Sequence, residues 1–152
     1  MTATGWACLG RSECGSALIE MALVSPLLLL LVLGVGDFGR ILYHGITLSN
    51  AARAGAAYGA QSTLHLGEAA GIQLAAEEEA QNIGPITVTS ERVCECASGT
   101  AVACTTASCS GYGAPMAFVR VTTSTTFTPI SASFPGIPDG ATLTRVAKVR
   151  AQ

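Results

Sequence analysis

The densest set of reactive side chains is Cys94, Cys96, Cys104 and Cys109, in the pattern C-x-C-x7-C-x4-C. Thiolates that converge on one metal ion usually come as C-x2-C pairs, because two intervening residues let both sulfurs turn to the same point. That spacing does not occur in the chain, and the C-x-x-C of a thiol–disulfide enzyme is the same spacing. Cys94 and Cys96 lie two apart in a predicted strand, so they point the same way with Cα atoms about 7 Å apart, which disfavours a bridge between them. Structural disulfides are the expectation, pairing either 94–104 with 96–109 or 94–109 with 96–104. Each bridge stabilises a small β domain by about 2–4 kcal/mol. Their presence also points to an oxidising compartment.

The next candidate is an acid in an apolar setting. Met21 to Gly36 reads MALVSPLLLLLVLGVG with no ionisable side chain, and Glu20 stands at its start. A bilayer core of roughly 30 Å takes about 20 helical residues, so a span must begin near Ala17 and run over 17–36, with Glu20 inside it. A carboxylate there costs at least about 2–3 kcal/mol, which calls for a partner or a function. Asp37 is read more simply, as the charge that ends the span. His44 and His65, the only histidines, have no carboxylate or cysteine in register with them and make a poor catalytic pair. Glu77 to Glu79 are read as a solvated helix face rather than a cation site. The chain contains no phosphate-binding loop, nucleophile elbow or H-E-x-x-H pattern. No catalytic residue, metal or cofactor is implied, and the expectation is a non-enzymatic protein.

Composition agrees with a membrane anchor. Hydrophobic residues make up 49% of the 152 residues and charged ones only 12%, and the apolar excess is concentrated before Asp37. The formal charge is -2. With no Lys/Arg run, the electrostatic footprint of a nucleic-acid-binding protein is missing. Arg11 precedes the span, whereas all four clustered cysteines follow it, so the expected topology is N-terminus in the cytoplasm and C-terminal domain outside.

Four segments are expected to position these residues. Residues 1–15 lack periodicity and suit a short leader. Residues 16–62 form one helix, spanning at 17–36, with Pro26 as a potential kink and with Ala51, Gly55 and Gly59 recurring every four residues as a strip that a second helix can approach closely. Residues 63–85 hold an amphipathic helix whose core side is Ile72, Ala75, Ala76, Ala80 and Ile83, closed by Gly84-Pro85. Over 86–152 the period drops to two, and ITVTSERV, MAFVRVTTSTTF and ATLTRVAKVRA read as three antiparallel strands. In the middle strand Val119, Val121, Thr123, Thr125 and Phe127 share a face, and in the last Leu143, Ala147 and Val149 do. The helix within 63–85, over 66–83, is the available cover for that apolar face. The fold class is α+β: a long N-terminal transmembrane helix, a second amphipathic helix, then a small disulfide-bonded antiparallel sheet.

The order of features in GSALIEMALVSPLLLLLVLGVGDFGRILYHGITLSNAARAGAAYGA resembles the N-terminal segment of TadE-like proteins, pseudopilins of the tight-adherence (Tad) branch of type IV pilus machinery. Gly15, Glu20, Pro26, Asp37-Phe38-Gly39-Arg40 and Asn50-Ala51-Ala52-Arg53 carry the likeness. VRVTTSTTFTPI and ATLTRVAKVRAQ look like closing strands of the same family. The resemblance implies a pilin-like fold and cleavage by a prepilin peptidase between Gly15 and Ser16 on the cytoplasmic side. Ser16 would then carry the new amine, and Glu20 would meet the amine of a neighbouring subunit, each charge costing far less together than alone. Cleavage would also remove Cys8 and Cys14 and leave the other four cysteines as an even set. The implied partners are the peptidase, other pilins or pseudopilins, and inner-membrane platform proteins. The implied location is the bacterial inner membrane or the filament itself. The competing expectation is a secreted or periplasmic disulfide-bonded binding module, released by an ordinary signal peptidase near Gly34-Val35-Gly36.

Overall fold

The computed structural model describes residues 14–62, 64–106, 108–130 and 140–151, with side chains from residue 17 onward. The expected leader thus lies outside the described residues, apart from the backbone of Cys14 and Gly15. A single helix, α1 (Cys14–Ala60), runs through Pro26 without interruption. A one-turn 3-10 segment (His65–Gly67) leads into α2 (Ala69–Glu79), and a second one (Gln81–Ile83) follows it. The expected second helix is therefore broken into three pieces. Its amphipathic pattern survives, because Ile72, Ala76, Ala80 and Ile83 are all buried. Glu78 and Glu79 face water as expected, whereas Glu77 is half-buried and accepts a 2.7 Å hydrogen bond from Gln73. Gly84 closes the segment with φ +82°, a conformation that strains any residue with a Cβ.

Four strands follow: β1 (Thr87–Glu95), β2 (Ala101–Val102), β3 (Met116–Phe127) and β4 (Ala141–Arg150). All pair antiparallel in the order β2-β1-β3-β4. The alternation of Val119, Val121, Thr123 and Phe127 puts all four on the buried side of β3, paired with Leu143, Ala147 and Val149 around them on β4. The short β2 was not visible as a period-two run. Two residues carry no periodicity, and the bridge at Cys94–Cys104 is what returns that loop to the sheet.

The cover of the sheet differs from the expectation. The C-terminal half of α1, not the second helix alone, closes the apolar face. Leu48 and Ala51 of α1 join Ala76, Ala80 and Ile83 in one core cluster, while Ala56 and Ala60 join Ile72, Val119 and Val121 in another. Small side chains make this close packing possible. A Cβ added at Gly59 would stand 2.9 Å from Ile72 Cδ1 and 3.0 Å from Val119 Cγ1, and one at Gly55 would stand 3.0 Å from the Ile72 carbonyl oxygen. The Ala51-Gly55-Gly59 strip is thus the seat of α2 within the same chain. Across the helix–sheet seam the fully buried Thr123 hydroxyl donates to the Leu48 carbonyl at 2.9 Å.

Candidate functional site: a bare apolar helix and the junction that holds the domain to it

Every side chain from Ala17 to Leu33 is exposed on all sides of α1. By length and composition this stretch can cross a membrane. Glu20 projects from it, exposed, amid Leu18, Ile19, Met21 and Leu23, which are 64% to 75% exposed. Among the described residues, Asp37 is the first buried side chain along α1. Gly15 and Ser16 lie in the first turns of the same helix. Gly15, Ser16 and Glu20, the residues expected to serve processing and assembly, therefore lie on the first part of α1, far in sequence from Cys94, Cys96, Cys104 and Cys109.

The cysteine question resolves to one of the two open pairings. Cys94 bridges Cys104 and Cys96 bridges Cys109, with Cα separations of 5.1 Å and 5.8 Å. Cys94, Cys96 and Cys109 are buried. The bridges fasten the 96–115 segment, whose large apolar side chains are only Val102 and Tyr112, to the end of β1. That is a structural use, consistent with the gain a thin-cored domain draws from crosslinks. Among the described residues, no group of three His, Cys, Asp or Glu side chains is arranged to hold a metal ion.

The feature the sequence reading missed is the junction at Asp37. Instead of ending the span in water, Asp37 is buried to 1% exposure. Its Oδ1 accepts a 2.9 Å hydrogen bond from the backbone N–H of Ile130, just past the end of β3. It also accepts one at 3.1 Å from Arg40, one turn on. Arg40 in turn reaches the Thr128 carbonyl at 3.4 Å, and its guanidinium carbon lies 5.1 Å from the centre of the Phe127 ring. Phe127 is wholly buried, and His44 meets it edge-on at 5.4 Å. A turn further along α1, Gly45 leaves room for the Arg145 guanidinium, since an added Cβ would be 2.9 Å from its Nη2. The carboxylate thus holds the chain leaving β3, the arginine clamps the same segment, and the aromatic ring packs against both Arg40 and His44. Burial lowers the pKa of the His44 imidazole, and the Arg40 charge adds to that effect. The i, i+3 acid–base pair inside D-F-G-R, together with one buried-face aromatic before Thr-Pro, was the available signal.

The second histidine lies in the 3-10 segment that leads into α2. The rings of His65 and Tyr58 lie 4.7 Å apart, and the Tyr58 hydroxyl donates to Glu68 at 2.9 Å. That hydrogen bond, with burial and the Glu68 charge, raises the tyrosine pKa. His44 packs on Phe127 and His65 on Tyr58, so the two histidines have different neighbours.

These features define a class: an α+β protein whose sheet rides on the second half of a long helix while the first half projects bare and apolar. Residues 15–57 match the family described as TadE-like protein. The match starts at Gly15, takes in Glu20 and the Asp37–Arg40 junction, and stops just short of the end of α1. Neither the curated proteins nor the solved structures hold a match to the chain.

Proposed function

We propose that the chain is a pseudopilin, or minor pilin, that takes part in assembling a Tad-type pilus or a related secretion filament, and that its role is structural rather than enzymatic. One observation carries this reading: the TadE-like match opens at Gly15, directly before an exposed apolar helix in which Glu20 is the only charge up to Asp37. A prepilin peptidase cutting between Gly15 and Ser16 would leave Glu20 as the fifth residue of the mature chain. Its carboxylate would then lie within reach of the N-terminal ammonium of a neighbouring pilin, which offsets the cost of holding either charge in lipid. The two disulfides support a C-terminal domain outside the cytoplasm. Inner-membrane platform proteins and other pilins are the partners this role requires.

Mass spectrometry of membrane and filament fractions is expected to find a mature N-terminus at Ser16. Glu20→Ala is expected to abolish incorporation while leaving membrane insertion intact, since removing a carboxylate only makes a span more apolar. An intact Met1 in assembled material, or normal incorporation of Glu20→Ala, would count against the proposal. Protein starting near Asp37 and free of membrane would establish the secreted-module alternative.

A further inference from the structure

Past Gly36 the two sides of α1 have different fates. One side is committed to the domain through Asp37, Gly45, Leu48 and Ala52, all buried. The other stays apolar and open: Val35, Phe38, Leu42 and Ile46, spaced i, i+3, i+7 and i+11, are 52% to 65% exposed and form one stripe. Tyr43, 50% exposed, flanks it. Continuing along the same line, the exposed side chains become polar, with Asn50 and then Arg53. The stripe is continuous with the apolar rod 17–36 and extends about 15 Å beyond it, at 1.5 Å per residue. A headgroup layer of only about 5–8 Å on each side of the bilayer core is too thin to cover that length if the helix stands upright.

We propose that α1 leaves the bilayer tilted, so that Phe38, Leu42 and Ile46 lie in the headgroup–acyl boundary of the outer leaflet while the sheet domain rides on the upper side of the helix, away from the lipid. The occupant of the stripe is a phospholipid surface. Tilt lowers one side of a helix and raises the other, and the domain sits on the side opposite the stripe, which leaves that side free to descend. The order apolar, then Tyr43 alongside, then Arg53, matches the depth profile of an interfacial helix, with an aromatic at the headgroup level and a cation for phosphate. A second helix would be a poorer occupant. Close helix approach in membranes uses small residues, and the small strip of this helix, Ala51, Gly55 and Gly59, is already filled by α2.

The proposal rests on the reading of 17–36 as a membrane span, and the test separates the two. In full-length protein carrying Trp6→Phe, single tryptophans are introduced as Leu30→Trp, Leu42→Trp, Ile46→Trp and Ala57→Trp, and each is reconstituted in phosphatidylcholine–phosphatidylglycerol vesicles with brominated phosphatidylcholine. Leu30→Trp is expected to lose most of its emission to bromines deep in the acyl chains. Leu42→Trp and Ile46→Trp should lose it to bromines near the headgroups and emit to the blue of Ala57→Trp, which should be quenched only by aqueous acrylamide. If the tryptophans at 42 and 46 are reached by acrylamide and not by lipid while the one at 30 is lipid-quenched, the tilt is overturned and the span stands. Emission at 42 that shifts on dilution of the protein without lipid quenching identifies a second copy as the occupant and overturns the proposal equally. An unquenched tryptophan at 30 overturns both.

Discussion

Residues 17–36 and 37–60 belong to one uninterrupted helix, and the chain uses the two halves in opposite ways. The first half is rich in leucine and valine and holds no buried side chain among the described residues. The second is rich in alanine and glycine and is buried along one side by α2 and the sheet. The first half is apolar on every side and the second carries Asp37, Arg40, His44 and Arg53, but that difference does not show how the second half packs. Side-chain size does. Large residues cover area against a fluid solvent such as lipid, where no shape has to be matched, whereas small ones let a helix backbone come close to a fixed partner. The boundary is set by Asp37 and Arg40, the point where the chain returning from β3 is held by hydrogen bonds rather than by apolar contact.

The comparison breaks first if the junction is not what fixes the domain to the helix. Phe127 packs against both Arg40 and His44 and is wholly buried, so Phe127→Ala should destabilise the domain by about 3–5 kcal/mol through lost burial and a residual cavity. Thermal unfolding of the full chain in detergent micelles measures it. The helical signal of 17–36 should persist after the sheet has melted. A variant with unchanged melting would show that the ring is not an anchor.

That anchor also marks the limit of what the sequence revealed. The apolar faces of β1, β3 and β4 were readable because strand periodicity reports burial locally, residue by residue. The small strip at Ala51, Gly55 and Gly59 announced a close helix approach, and α2 is the helix that fills it. What stayed hidden were facts of long range. Asp37 meets Ile130 across most of the chain's length, and no local pattern distinguishes a buried carboxylate from one that simply ends a span. Sequence proximity points to the second helix as the cover of the sheet, whereas Leu48 and Ala51 of α1 enter one core cluster and Ala56 and Ala60 the other. The cysteine spacing narrowed the pairing to two choices, and only the path of the loop through β2 selects 94–104 with 96–109.

A second way to sharpen the contrast is to place the same residue in both halves. Gly59→Val pushes side-chain atoms into Ile72 and Val119, which already stand 2.9 Å and 3.0 Å from an added Cβ. Overpacking of this kind typically costs about 1–3 kcal/mol. Gly36→Val meets nothing within 4 Å and should change domain stability by less than about 0.5 kcal/mol. Chemical denaturation of both variants in the same detergent gives the comparison directly. Equal effects at the two positions would mean that close packing does not distinguish the halves.

The smallest expected effect concerns pH at the junction. The His44 imidazole is held below its ordinary pKa of 6.5 by burial and by the nearby Arg40 charge, and its Nδ1 has no hydrogen-bond partner among the described residues. The folded chain therefore releases the proton more readily than the unfolded chain does. Between the two pKa values the unfolded state binds more protons, so stability rises with pH through that window and falls as pH drops from about 7 toward the lower, folded value. Below that value the loss is complete and levels off. His44→Leu removes the titrating group and keeps an apolar contact for Phe127, so its stability should lose this component of the acid-side slope. Unfolding free energies of the two proteins, measured across the same pH series at constant ionic strength, are expected to converge in slope above pH 7 and to part below it. Parallel curves throughout would show that the imidazole carries no charge penalty against the Phe127 ring and Arg40.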